Sequence, residues 1–306
     1  MSFAQQVKNE ISKKDFGKYK KQMSCGLVCF SRNFSPKLVG MGTENESAAF
    51  VYKNTIESIS KIRMNLSFGG EKKSLYTVIS GSVADSETVY GIYSELFSKI
   101  LVEIERKKNK SDLIAPFLTG AFLACGNISD PNKFYYLDFT LPTKHHSEII
   151  SLLLDTIGIK HKIMIRNTDY VVYIKESGYI EDILTYIGAI KAVLRFIDIK
   201  IYKEIRNLEN RKNNFEIANI EKTATAAALQ IFDIEYIVET KGWEFFPDDL
   251  KNVAMVRIEN PDLPLGSLAE LINPPLSRSS TNRRLNKIRN LAEKLRSLQK
   301  DVKNID

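Results

Sequence analysis

Three cysteines, three histidines and a single tryptophan are all that 306 residues contain of these types, and each scarcity closes off some chemistry. Cys25, Cys29 and Cys125 are too few and too scattered for a disulfide framework, which points to a reducing compartment. Cys25 and Cys29 stand four apart on a stretch that reads as a helix and could share a metal ion. With no third or fourth ligand nearby, they read better as small core residues. His145 and His146 are adjacent, so on a helix they project about 100° apart and make a poor chelate. His161 stands alone, and neither a metal nor a cofactor is expected. No uncharged apolar run reaches the length of about 18 residues needed to span a bilayer. The opening MSFAQQVKNEISKK lacks the apolar centre of a signal peptide, so a cytoplasmic location without a membrane partner is expected. P-loop, dinucleotide-binding and GxSxG signatures are missing as well; an enzyme would have to use an unmarked site.

What is present is an ordinary globular composition, 43% hydrophobic and 26% charged, on a chain long enough for two domains. The net charge of +7 suits a nucleic-acid partner without requiring one.

Helical spacing is read over 19–32 and over 47–63, the latter through Phe50, Ile56, Ile59 and Ile62. The segments NLSFGG and SLYTVISG then flank a Gly-Gly loop and read as a hairpin. SETVYGIYSELFSKILVEIE returns to helix, and the run RKKNK at 106–110 reads as an exposed linker. The order recurs beyond it: a helix at 112–125, the strand FYYLDFTL, a helix at 145–158, the strands KHKIMIR and YVVYIK, and a helix at 179–188. Two α-β-β-α-β-β-α halves, about 1–105 and 111–200, are therefore expected to form one α+β domain over 1–200. Residues 201–246, rich in Asn, Lys and Ala and weakly periodic, read as a connector. An all-α module is expected over 247–306, its first helix starting at Pro247-Asp248.

Within that module a short amphipathic helix bearing Leu265, Leu268, Leu271 and Ile272 is stopped by Asn273-Pro274-Pro275, and a second helix can start at Ser277, a good N-cap. Leu285, Ile288, Leu291 or Ala292, Leu295 and Leu298 form its inward stripe. Its outer face is basic. Arg278, Arg283, Arg284, Lys287, Arg289, Lys294, Arg296 and Lys300 face a single acid, Glu293. Ser279, Ser280 and Asn282 occupy the early turns, where short polar side chains on a recognition helix can reach base edges. The expected DNA contacts are Ser277, Arg278, Ser279, Ser280, Asn282, Arg283, Arg284, Lys287 and Arg289. The rival readings are a solvated basic helix closing a small bundle and a dimerising tail.

A second motif is LTGAFLACG, Leu118 to Gly126, in which Gly120 lies in the body of a helix. A glycine there weakens the helix by about 1 kcal/mol relative to alanine, so a packing reason such as close approach of another helix is expected. The motif resembles the LAGLIDADG helix of homing endonucleases, and SCGLVCFSR at 24–32 lies on the same frame with Gly26 matching Gly120. In active members of that family the eighth position carries a carboxylate for the catalytic divalent cation. Here it falls on Cys125 and Ser31, neither a hard anionic ligand for Mg²⁺.

Together the saddle motif, the connector and the terminal module resemble the WhiA family of bacterial regulators, a LAGLIDADG-like domain tethered to a helix-turn-helix. LIAPFLTGAFLACGNISDP (113–131), YVVYIKESGYIEDILTYIGA (170–189), RNLENRKNNFEIANIEKTATAA (206–227) and IENPDLPLGSLAELINPPLSRSSTNRRLNKI (258–288) carry the resemblance, with MSFAQQVKNE a looser match. It implies sequence-preferring binding of double-stranded DNA, transcription regulation linked to sporulation, cell division or chromosome organisation, and association with the nucleoid. A further partner considered is another transcription or cell-division protein.

Two strands bear on how a saddle could meet DNA. In KHKIMIR, Lys160, Lys162 and Arg166 alternate with His161, Ile163 and Ile165; in FYYLDFTL, Tyr136, Asp138 and Thr140 lie opposite Tyr135, Leu137 and Phe139. Such a face either tracks a DNA backbone or is the solvent side of a half-buried sheet. The expectation is a non-enzymatic DNA-binding regulator. A divergent LAGLIDADG endonuclease or maturase, and a protein- or ligand-binding scaffold localised to DNA, are the alternatives.

Overall fold

The computed structural model describes residues 1–69, 75–106 and 110–303, with side chains described as far as Leu298. The centre of RKKNK, the far side of the Gly-Gly loop and the Lys300 side chain fall outside the described residues. The described residues divide into two compact units, Met1–Glu204 and Ile205–Asp306.

The first unit opens with α1 (Phe3–Ile11), fixed at its start by a reciprocal pair: the Gln5 amide donates to Ser2 Oγ and the Ser2 amide donates to Gln5 Oε1. Phe3, Val7 and Ile11, four apart, bury one stripe of it. Next come α2 (Lys20–Cys29), β1 (Asn33–Ser35), β2 (Leu38–Thr43), α3 (Glu46–Ser60), β3 (Met64–Phe68), β4 (Tyr76–Ser80) and α4 (Val83–Arg106). The order then repeats as α5 (Ser111–Cys125), β5 (Gly126–Ile128), β6 (Leu137–Leu141), α6 (Lys144–Thr156), β7 (Lys162–Arg166), β8 (Asp169–Ile174) and α7 (Ser177–Tyr186). From α2 to α4 and from α5 to α7 the order is α-β-β-α-β-β-α, as expected. The strand orders correspond too, β1-β2-β4-β3 and β5-β6-β8-β7, all antiparallel.

At the centre of this unit α2 packs on α5. Every residue of α2 from Gln22 to Cys29 is buried. A methyl group at Gly26 would overlap the Phe117 carbonyl oxygen, and one at Gly120 the Met23 carbonyl oxygen, so each helix runs into the gap left by the other's glycine. Cys25 and Cys29 are buried there, their sulfurs 3.7 Å apart, and Cys29 Sγ also lies 3.7 Å from the Tyr93 carbonyl. They are core residues.

Some details differ from the sequence expectation. The β1–β2 hairpin lies between the helices read over 19–32 and 47–63, in a stretch where the sequence singled out no individual strand; β2 places Gly40 so close to β4 that a methyl there would stand 2.7 Å from the Val78 carbonyl oxygen. Phe50, expected on the inward stripe of α3, is 45% exposed.

Residues 201–246, expected to connect without forming core, are helical as far as Lys241 within α8 (Ile190–Lys241), which contains neither glycine nor proline. Gly242, at φ +79°, ends it. In the second unit the last turns of α8 place Ile234 and Ile237 in a core shared with α9 (Asp248–Glu259), α10 (Leu265–Leu271) and α11 (Arg278–Lys303). No described helix is long and apolar enough to cross a membrane.

Candidate nucleic-acid interface

The terminal module folds as helix, turn and helix. Leu268 and Ile272 bury the inner side of α10, and the Leu276 amide donates to the Ala269 carbonyl (3.0 Å), folding the Pro-Pro turn back on that helix. Ser277 then caps α11: the Ser280 amide donates to Ser277 Oγ at 3.2 Å, as the sequence led one to expect of that serine. Thr281 Oγ1, fully buried, donates to the Ser277 carbonyl at 3.2 Å. Leu285, Ile288, Ala292 and Leu295 form the inward stripe, whereas Leu298 (62% exposed) and Leu271 (54%) point to solvent. The stripe ends one turn earlier than expected because Leu295 is its last buried residue.

Of the residues expected to contact DNA, Ser277, Arg278, Ser279, Asn282, Arg283, Lys287 and Arg289 are exposed, and Ser280 and Arg284 are half-buried. The cations fall into two groups. Arg284 Nε lies 3.8 Å from Asp249 on α9, Arg289 Nε 3.0 Å from Glu293, and Arg296 2.8 Å from Asp233, where it also stacks over Phe232 and Tyr236. Arg278, Arg283 and Lys287 have no carboxylate partner among the described residues and stand on the first three turns of the helix. Sequence reasoning passed over Arg257, which is 2% exposed although charged. Its signal lay in the spacing Leu250, Val253, Ala254, Arg257, which continues the buried stripe of α9.

The saddle centre holds no divalent-cation cage. Ser31 Oγ donates to the Val28 carbonyl at 2.8 Å and meets Tyr52 Oη at 3.3 Å; Cys125 Sγ donates to the Ala121 carbonyl at 3.2 Å. Burial pushes the Cys125 thiol up to about 12, against a smaller opposing pull from Lys8, so it stays protonated at neutral pH. Lys8, from α1, donates to the Leu123 carbonyl at 3.2 Å, and burial lowers its affinity for a proton. Among the described residues no three His, Cys, Asp or Glu side chains cluster as metal ligands would.

Among the described residues the sheet faces away from the core carry few cations. Asp138 does not face a phosphate: it is 2% exposed and accepts from Asn127 Nδ2 (3.3 Å) and Thr140 Oγ1 (3.0 Å), and its carboxyl is raised chiefly by burial. Strand β7 lies at a sheet edge, so the apolar face expected of KHKIMIR is uncovered, with Ile163 48% and Ile165 66% exposed. Lys162 and Arg166 stand on its other face, and Arg166 donates to Thr140 Oγ1 at 3.4 Å. In the first sheet the positions alternating with core residues are Gly40, Gly42, Asn65, Ser67, Thr77 and Ile79, none charged.

Comparison with known proteins agrees with this architecture. A family model described as the WhiA LAGLIDADG-like domain matches residues 114–206, and one described as the WhiA C-terminal HTH domain matches 210–292. A protein of Clostridium perfringens (strain 13 / Type A), named probable cell division protein WhiA, is 35% identical over 97% of this chain and 99% of its own. The protein of the same name from Clostridium tetani is 30% identical over 96% and 98%. The crystal structure of full-length DUF199/WhiA from Thermotoga maritima, 24% identical, superposes with a TM-score of 0.58 over 96% of this chain and 99% of the other. With both domains matched in order and whole-length relatives at this identity, the chain belongs to the WhiA family.

Proposed function

We propose that the chain is a non-enzymatic, sequence-preferring DNA-binding regulator that reads duplex DNA with the first turns of α11. The observation that carries this is a capped helix, set by a tight turn on a shorter one, whose exposed early positions combine Ser279, Asn282 and Arg283 with the unpaired cations Arg278 and Lys287. Base-edge contacts fall to Ser279, Ser280, Asn282 and Arg283. Phosphate contacts fall to Ser277, Arg278, Lys287 and, after exchanging their carboxylate partners, Arg284 and Arg289. The work divides between a saddle over 1–200, a connecting stretch over 201–246 whose last helical turns pack into the reader's core, and a reader over 247–306. The name shared by the relatives supports a link to cell division, with a transcription or cell-division protein as a second partner.

The test is binding of Asn282→Ala and Lys287→Ala to a preferred and a scrambled duplex across a salt series. Loss of a bidentate base contact costs about 1–3 kcal/mol on the preferred duplex alone. Loss of a phosphate contact weakens both duplexes alike and lowers the salt slope by about one. If both substitutions change the two duplexes in the same proportion, α11 is not the reader and the module is a dimerising or protein-docking element. Purified protein with Mg²⁺ should leave duplex DNA intact. Site-specific cleavage lost on changing Ser31 or Cys125 would favour the endonuclease reading instead.

A further inference from the structure

Within the unit Ile205–Asp306 a concavity of about 560 Å³ is walled by the Asn219–Gln230 stretch of α8, the end of α9, the start of α10 and the first turns of α11. Lys222, Arg257 and Arg278 all line it, and no carboxylate does. Two buried polar atoms of its lining side chains have no hydrogen-bond partner, Arg257 Nε and Gln230 Oε1. Arg257 is the more telling. It is 2% exposed, and its Nη1 donates to the carbonyls of Asn260 (3.3 Å) and Leu263 (2.9 Å); no carboxylate pairs with it among the described residues.

A guanidinium taken out of water needs a counter-charge as well as acceptors, and buried arginines are ordinarily paired. Here two more cations stand around the same hollow, so the protein supplies three positive charges and no anion. Phosphate answers that need: its oxygens match a guanidinium in geometry, and a monoester carries close to two charges at neutral pH. Gln230 adds a buried acceptor, which suits a ligand that also presents a hydroxyl or amino donor. The volume falls in the range of about 300–1,000 Å³ usual for small-molecule sites. A DNA backbone passing over the surface could meet Lys222 and Arg278 but not a side chain as enclosed as Arg257.

We propose that this concavity binds a small phosphomonoester bearing a hydrogen-bond donor, of nucleotide or sugar-phosphate class, with Lys222, Arg257 and Arg278 holding the phosphate and Gln230 taking the donor. Because Arg278 and Asn282 line the same concavity, occupancy withdraws them from DNA. That second step rests on the reading of α11 proposed above, and the binding itself does not.

Calorimetric titration of the full chain with adenosine 5′-monophosphate, glucose 6-phosphate and adenosine, in a buffer free of phosphate, tests this. The phosphomonoesters should bind and adenosine should not. Lys222→Ala and Arg278→Ala should each weaken binding by about ten-fold or more, the loss expected of a charge-assisted contact. Both are exposed and should leave thermal unfolding unchanged, so the test does not depend on whether Arg257→Met folds. Gln230→Leu should weaken the phosphomonoesters while leaving inorganic phosphate as it was. Saturating phosphomonoester should weaken duplex binding by wild type and not by Lys222→Ala. Absence of binding by both phosphomonoesters, or binding indifferent to Lys222→Ala and Arg278→Ala, overturns the proposal. Weakened duplex binding by Lys222→Ala with no phosphomonoester bound overturns it too, and assigns these cations to the DNA backbone. Phosphomonoester binding by a chain that binds no duplex would support the site and defeat the reading of α11.

Discussion

Replacing Gly120 by alanine should destabilise the unit Met1–Glu204 although alanine is the better helix former. In an open helix the exchange gains about 1 kcal/mol. At Gly120 the added methyl would overlap the Met23 carbonyl oxygen and stand 2.6 Å from the Leu27 amide nitrogen, where carbon contacts ordinarily begin near 3.5 Å. Both obstacles are backbone, so α2 must retreat from α5 by roughly 1 Å rather than a side chain turning aside. Overpacking of this kind costs about 1–3 kcal/mol, and separating the pair also loosens Leu27, Phe117 and Leu118, all fully buried. A net loss of about 1–3 kcal/mol is expected once the loosened contacts offset the gain in helix propensity, or roughly 2–12 °C in thermal midpoint for a unit of this size. Gly91 supplies the internal control. It lies on the exposed side of α4 with nothing within 4 Å of an added methyl, so Gly91→Ala should hold or raise the midpoint. Thermal unfolding followed by circular dichroism, with urea midpoints alongside, reads both. A Gly120→Ala protein as stable as wild type would refute the close approach of the two helices.

Ser277→Ala should remove the cap of α11 and cost about 1 kcal/mol, read from urea unfolding of the second unit. Asp138, whose folded-state carboxyl is raised above the ordinary value of 3.8, contributes stability that is complete below that value and is lost as pH rises through the folded one. Asp138→Asn should therefore gain on wild type as pH rises from 3.8 toward neutrality, and a stability difference that falls over that interval would show the sign to be wrong. Cys125, half-buried and held as a thiol, should react with iodoacetamide at neutral pH much more slowly in the native chain than after unfolding; labelling of the native chain as fast as of the unfolded one, located by peptide mass, would contradict its placement.

The duplication and the helix-turn-helix were legible because each leaves a strong local mark. Helical spacing broken by paired strands sets the order of each half, a mid-helix glycine signals close packing, and Asn273-Pro274-Pro275 followed by Ser277 closes one helix and opens the next. What escaped notice has physical reasons too. Strand β2 carries Gly40 and Gly42 and so lacks a full apolar alternation, while β5 is only three residues long. Helix α1 is announced by Ser2 and Gln5, a capping pair easily passed over in a polar segment. The stretch read as a connector is polar on most faces over 206–226, which suggested no core, yet the absence of glycine and proline lets the helix continue until Ile234 and Ile237 reach one. In the proposed reader, the residue types and the cap could be read directly. The division of its cations could not, because Asp233 and Asp249 approach Arg296 and Arg284 only through tertiary packing.

The burial of α2 on every side bears on how the chain must be made. A helix enclosed in this way cannot finish folding inside its own half, since α3 and α4 cover only part of it and the rest of the covering surface belongs to α5, roughly a hundred positions later, a separation in sequence that slows folding. During synthesis the first sheet and its helices therefore wait with an apolar flank uncovered, a state open to aggregation and to chaperones. The repeated order of elements thus yields a domain whose first half has its central helix fully covered only once the second is in place.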